Sequence, residues 1–150
     1  MHSLVDNIGI EQSLAPQTIQ ASALNSGNID TLGSDTLAIT VLIGAMADTL
    51  SSSVHLDLKI EHADDDGTGS PGAYAACADT DVLHFSSLSG AGVFLSLTAN
   101  SQTQKRCVIG YTGGKRFVRV TATPVSLTTG GPIAMLALKG SVHQLPVANA

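Results

Sequence analysis

The chain has 150 residues, a mass of 15.3 kDa and a formal net charge of −5, which predicts one domain that can bury about 68–70% of its unfolded surface without metal or disulfide staples. Charged residues are only 13% while thirty positions are Ser or Thr, so solubility rests on neutral polar groups, and twelve acids against seven bases is a poor match to a phosphate backbone. An apolar share of 43% excludes disorder, and no apolar run approaches the ~20 residues of a membrane helix, so neither nucleic acid nor membrane is an expected partner.

Residues 1–16 show no sustained period and end in Ser13-Leu14-Ala15-Pro16. They lack a basic region followed by an apolar stretch, so they do not read as a secretory signal. Leu4, Val5, Ile8, Ile10 and Leu14 make them too apolar to lie free in water. The expectation is an N-terminal arm docked on the protein's own sheet or on a partner. Thr18 to Leu24 alternates as a strand would. Breakers follow at Asn25-Ser26-Gly27-Asn28 and Gly33-Ser34-Asp35. Leu37, Ile39, Val41 and Ile43 then alternate with Thr36, Ala38, Thr40 and Leu42, and Val54, Leu56, Leu58 and Ile60 alternate with His55, Asp57, Lys59 and Glu61. A period of two with one apolar face is a strand.

The acidic run Asp64-Asp65-Asp66-Gly67 reads as a solvated hairpin tip. As a twelve-residue calcium loop it would end on Ala75, where a bidentate Glu is needed, and Pro71 stiffens it. Residues 85–104 mix loop and strand signals and suit an excursion or an extra hairpin. Phe117 to Thr121 alternates again. Ile133 to Leu138 is apolar on both faces and reads as a core strand in this β context. The tail 141–150 carries Pro146 and has no period. Short segments between regular turn signals predict an all-β antiparallel sandwich over residues 17–140, with an extended arm at each end.

Chemistry-bearing patterns are sparse. The histidines at 2, 55, 62, 84 and 143 form no metal spacing, and His55 and His62 point to opposite faces of one strand. Asp81 could orient His84, but no nucleophile elbow accompanies them. Cys77 and Cys107 form neither a C-x-x-C pair nor a disulfide framework and read as free thiols. Gly113-Gly114-Lys115-Arg116 is no phosphate loop. Two Glu and no Trp leave little for acid–base or sugar-stacking sites. The expectation is a non-enzyme without cofactor or metal.

Charge is segregated. Lys105, Arg106, Lys115, Arg116 and Arg119 fall in one fifteen-residue stretch, and seven of the twelve acids lie between Asp57 and Asp81. Such patches suit docking to surfaces of opposite sign, or they are solvated strand ends of small consequence.

The ordered blocks Asp6-Asn7-Ile8, Ser13-Leu14-Ala15-Pro16, Ala21-Ser22 with Asn25 to Asp30, Gly110 to Val120, Thr128-Thr129-Gly130-Gly131, and Lys139-Gly140 through Pro146-Val147 resemble small head proteins of tailed bacteriophages. The likeness covers most of the chain and departs between Tyr74 and Asn100. It implies a capsid decoration, or cement, protein: a jelly-roll-like sandwich on the outside of the head, bound as trimers to the major capsid protein lattice. The contacts expected are the arm, through Leu4, Val5, Ile8, Ile10 and Leu14, and the stretch Lys105 to Arg119. Within that stretch Arg116 and Arg119 are singled out, because Arg binds carboxylates bidentately. The alternatives are a head–tail connector or tail component, or a host-surface or carbohydrate-binding β module.

Overall fold

The computed structural model describes residues 7–83, 87–89 and 91–142, without the side chains of 141 and 142. It is an all-β sandwich of two antiparallel sheets. The strands are β1 (Ile8–Ile19), β2 (Leu24–Asn25), β3 (Ile29–Asp30), β4 (Ser34–Ile43), β5 (His55–Ala63), β6 (Ala75–Ala76), β7 (Val82–Leu83), β8 (Val93–Leu97), β9 (Lys105–Tyr111), β10 (Phe117–Val125) and β11 (Gly131–Val142). Single 3₁₀ turns lie at Asp79–Asp81 and Asn100–Gln102.

One sheet runs β1-β11-β4-β9-β7, and the other β2-β10-β5-β6, with β3 also on β10 and β8 also on β5. Consecutive strands mostly sit in opposite sheets. Grouping β2 with β3 and β6 with β8, and setting aside the two-residue β7 on the edge beside β9, gives eight strand positions, arranged 1-8-3-6 and 2-7-4-5. That is the jelly-roll order of two Greek keys.

The alternating segments build the core. Leu37, Ile39, Val41 and Ile43 of β4 point inward, as do Leu56, Leu58 and Ile60 of β5, and all are buried. They meet Ile133 and Met135 of β11, Val118 and Val120 of β10, and Ile109 of β9 in one cluster. Ile133 to Leu138 is a strand paired on both sides, to β1 and β4, with Ile133, Met135 and Ala137 in the core and Ala134, Leu136 and Leu138 half-buried on the outer face.

Two readings change. Thr18 to Leu24 is not one strand: β1 ends at Ile19 opposite Gly131, and β2 starts at Leu24 in the other sheet. The intervening residues carry the chain between sheets. The apolar arm docks on the protein's own sheet, one of the two outcomes expected, but from Ile8 on it is a strand of the sandwich rather than an arm ending at residue 16: it forms β1, paired with β11 from Ile8↔Gly140 to Ile19↔Gly131. Pro16 sits at a register shift of this edge strand, where a missing N–H breaks no ladder. Leu4, Val5, His84 and residues 143–150 lie outside the described residues.

Candidate functional site

The basic stretch divides into two groups. Lys115 pairs with Asp64 at 3.1 Å. Arg116 grips Asp30 bidentately, Nε to Oδ1 at 2.9 Å and Nη2 to Oδ2 at 2.7 Å, and its Nη1 donates to Asp65. This fork holds the Asp30 carboxyl below its usual range. Arg119 Nε donates to Glu61 Oε2 at 2.8 Å, with its guanidinium 3.9 Å from the Tyr74 ring centroid. Burial pushes the Glu61 carboxyl up, but hydrogen bonds from Lys59, Arg119 and Thr121 outweigh it and leave it below normal. The bidentate carboxylate contact expected of Arg116 is therefore made, but within its own chain. The acidic and basic clusters meet because β10 pairs with β5.

Lys59 and Lys139 are also paired, to Glu61 and Glu11. Of the seven basic residues, only Lys105 and Arg106 form no ion pair among the described residues. Both line a groove of about 800 Å³ with Leu42, Ala45, Pro132 and Ala134.

That groove is one end of a larger surface, the outer face of the β1-β11-β4-β9-β7 sheet. The register aligns Ile10, Leu138, Ala38, Gly110 and Leu83 in a row across all five strands. A second row carries Gln12, Leu136, Thr40 and Val108, and a third Ala134, Leu42 and Arg106. Of the four large hydrophobic residues that are exposed among the described residues, three stand on this face: Ile10 at 54%, Leu83 at 53% and Leu42 at 41%. Of the arm residues expected to make contact, Ile10 is on this face, whereas Leu14 is buried in the core and Ile8 is half-buried.

A separate cluster lies at one end of the sandwich. His62 ends the inward row of β5. The β5–β6 pairing, His62↔Ala75, brings Cys77 alongside, and the 3₁₀ turn adds Asp81. One donor atom from each of His62, Cys77 and Asp81 lies within 4.8 Å of the other two. His62 Nδ1 is 4.0 Å from Asp81 Oδ2 and 3.0 Å from the Tyr111 hydroxyl. Burial lowers the His62 pKa and pushes the Cys77 thiol and Tyr111 phenol each up to about 12. At neutral pH the imidazole is neutral and the thiol protonated, so Cys77 is no ready nucleophile. Sequence spacing missed this cluster because a strand pairing, not a short motif, assembles it. Cys107 is a second free thiol, half-buried on β9.

No free aromatic platform for a sugar occurs among the described residues. Tyr74 lies under Arg119, and Tyr111, Phe94 and Phe117 are buried. No helix among them is long and apolar enough to cross a membrane.

No protein-family model and no curated protein matches this chain. Two solved structures are similar in outline. One is from work describing Bacillus endospore appendages as a novel family of disulfide-linked pili, at 13% identity and a TM-score of 0.39, covering 93% of this chain and 96% of that one. The other is a family 6 carbohydrate-binding module, at 12% identity and a TM-score of 0.27, covering 89% of this chain and 93% of that one. Neither likeness carries a role over to this protein.

Proposed function

We propose that this chain is a structural, non-catalytic docking protein, and specifically an outer decoration protein of a tailed-phage head. The observation that carries the reading is the outer sheet face, where Ile10, Leu42 and Leu83 are exposed and Arg106 stands at one end; Lys105, level with the inward-pointing Ile43, lines the same groove from the strand end, and neither cation is ion-paired among the described residues. The partner surface that fits is apolar with carboxylates placed to meet Lys105 and Arg106. In the decoration reading that surface belongs to the major capsid protein lattice.

The remaining charges support the rigidity such a role needs. Arg116, Arg119, Lys115, Lys59 and Lys139 clamp the sandwich internally and leave the outer sheet face to recognition. Trimers, as the family resemblance implies, would strengthen a weak single contact, because the second and third contacts become effectively intramolecular. The jelly-roll order agrees with the resemblance but is shared by proteins of many functions.

The test is copy number in purified phage particles, measured by quantitative mass spectrometry against the major capsid protein. The proposal expects copies in fixed proportion to capsid subunits across the whole shell. A dozen or fewer per particle would point to a connector or tail part instead, and absence from particles would overturn the reading.

A further inference from the structure

We propose that His62, Cys77 and Asp81 form a binding site for a single zinc-like divalent cation that ties the 77–83 segment to β5. The donor set is one imidazole, one thiol and one carboxylate, the mixture that borderline-soft divalent ions select over magnesium or calcium. The three donor atoms already lie within 4.8 Å of one another. Tetrahedral zinc, with bonds of about 2.0–2.3 Å, needs ligand separations of roughly 3.3–3.7 Å. Small side-chain rotations close that difference. Water would complete the shell.

The backbone around the site is already fixed. The Cys77 N–H donates to Ile60 O at 3.2 Å, the Asp81 N–H to Ala78 O at 3.0 Å, and the Thr112 N–H to Asp81 O at 2.8 Å. Asp81 Oδ2 accepts one bond, from the Ala78 N–H at 2.9 Å, which leaves lone pairs for a cation. Nδ1 of His62 can also change partner without leaving a buried group unmet. The Tyr111 hydroxyl that faces it at 3.0 Å has a second acceptor in Lys115 O at 3.3 Å, and it accepts from the Lys115 N–H at 3.1 Å. On binding, the thiol loses its proton to solvent and the metal–thiolate bond replaces the S–H, so uptake releases one proton. Asp81, with a side chain 22% exposed, gives the ion its way in.

Cobalt(II) tests this directly, because a Co²⁺–thiolate bond produces a charge-transfer absorption. The full-length protein, stripped with chelator, is titrated with CoCl₂ and then with ZnCl₂. The expected result is a thiolate band saturating at one equivalent, displaced by Zn²⁺, with a raised Tm in the Zn²⁺ form. Cys77→Ser should abolish the band, and Asp81→Asn, which removes the anionic ligand, should weaken binding at least roughly tenfold, no less than the loss of an outer-shell partner costs. Cys107→Ser should bind as the wild type does. Asp81 is the safer variant for folding, since the Asn side-chain oxygen can still accept from Ala78. No band, or metal binding unchanged in Asp81→Asn and Cys77→Ser, would overturn the site.

Discussion

Arg119 stands directly opposite Glu61 across the β10–β5 ladder, Nε 2.8 Å from Oε2, with its guanidinium over Tyr74. Glu61 also accepts from Lys59 at 2.8 Å and Thr121 at 3.0 Å, and its side chain is only 9% exposed. A carboxylate so placed is stable only while its donors remain. Arg119→Ala leaves Lys59 and Thr121 in place, so the expected loss is about 1–2 kcal/mol rather than the full value for a stranded buried charge. A double-mutant cycle with Glu61→Ala in urea denaturation measures the coupling. A value near zero would show that Lys59 and Thr121 suffice without the arginine.

Ile39 is fully buried on β4, which has β11 on one side and β9 on the other. Ile39→Ala should destabilise by about 2–5 kcal/mol through lost burial and a residual cavity. Thr40, its neighbour on the outer face, should tolerate Val with a change of less than about 1 kcal/mol. Chemical denaturation of the two variants checks the assignment of the inner and outer faces of β4.

Asp48 closes the turn before β11. One carboxylate oxygen accepts from Thr128 Oγ1 at 2.5 Å and the Thr128 N–H at 3.1 Å, and the other from the N–H groups of Thr129 at 3.0 Å and Gly130 at 2.5 Å. These bonds, led by the Thr128 hydroxyl, lower its pKa to about 2. A depressed carboxylate contributes stability that is complete above its unfolded pKa, near 4, and lost as pH falls towards 2. Thermal melts from pH 5 to pH 2 should therefore lose part of their acid sensitivity in Asp48→Asn, with a lower Tm at neutral pH.

Gly130 has φ +73°, and a Cβ there would lie 1.7 Å from Ile19 O. The left-handed conformation alone costs a non-glycine residue roughly 1–2 kcal/mol, and the clash must also displace the end of β1. Gly130→Ala should lower Tm well beyond what Gly114→Ala does, since an added Cβ at Gly114 meets nothing within 4 Å.

The inner faces of β4 and β5 were legible because single-sided burial writes a period of two into Leu37–Ile43 and Val54–Ile60. The joining of arm and sandwich was only half legible. Ile8, Ile10 and Leu14 announce docking, but nothing local says that β11 receives them. Pairing also governs the charges. In sequence, Arg116 and Arg119 look like the best carboxylate binders, and nothing sets Lys105 and Arg106 apart as the cations left unpaired. Only the pairing of β10 with β3 and with β5 reveals that the first two are held by Asp30, Asp65 and Glu61. The row Ile10–Leu138–Ala38–Gly110–Leu83 draws one residue from each of five strands, so no window of sequence contains it. His62, Cys77 and Asp81 are likewise neighbours only through the β5–β6 contact.

The central claim is that the outer face of the β1-β11-β4-β9-β7 sheet docks on the shell. Co-sedimentation with undecorated phage heads tests it most directly, comparing the wild type with Leu42→Thr/Arg106→Glu and with Arg119→Ala. The account predicts saturable wild-type binding, at least roughly tenfold weaker binding by the double variant, about 1.4 kcal/mol, at an unchanged Tm, and near-normal binding by Arg119→Ala. Equal binding by the double variant and the wild type, or no binding by the wild type, would contradict it.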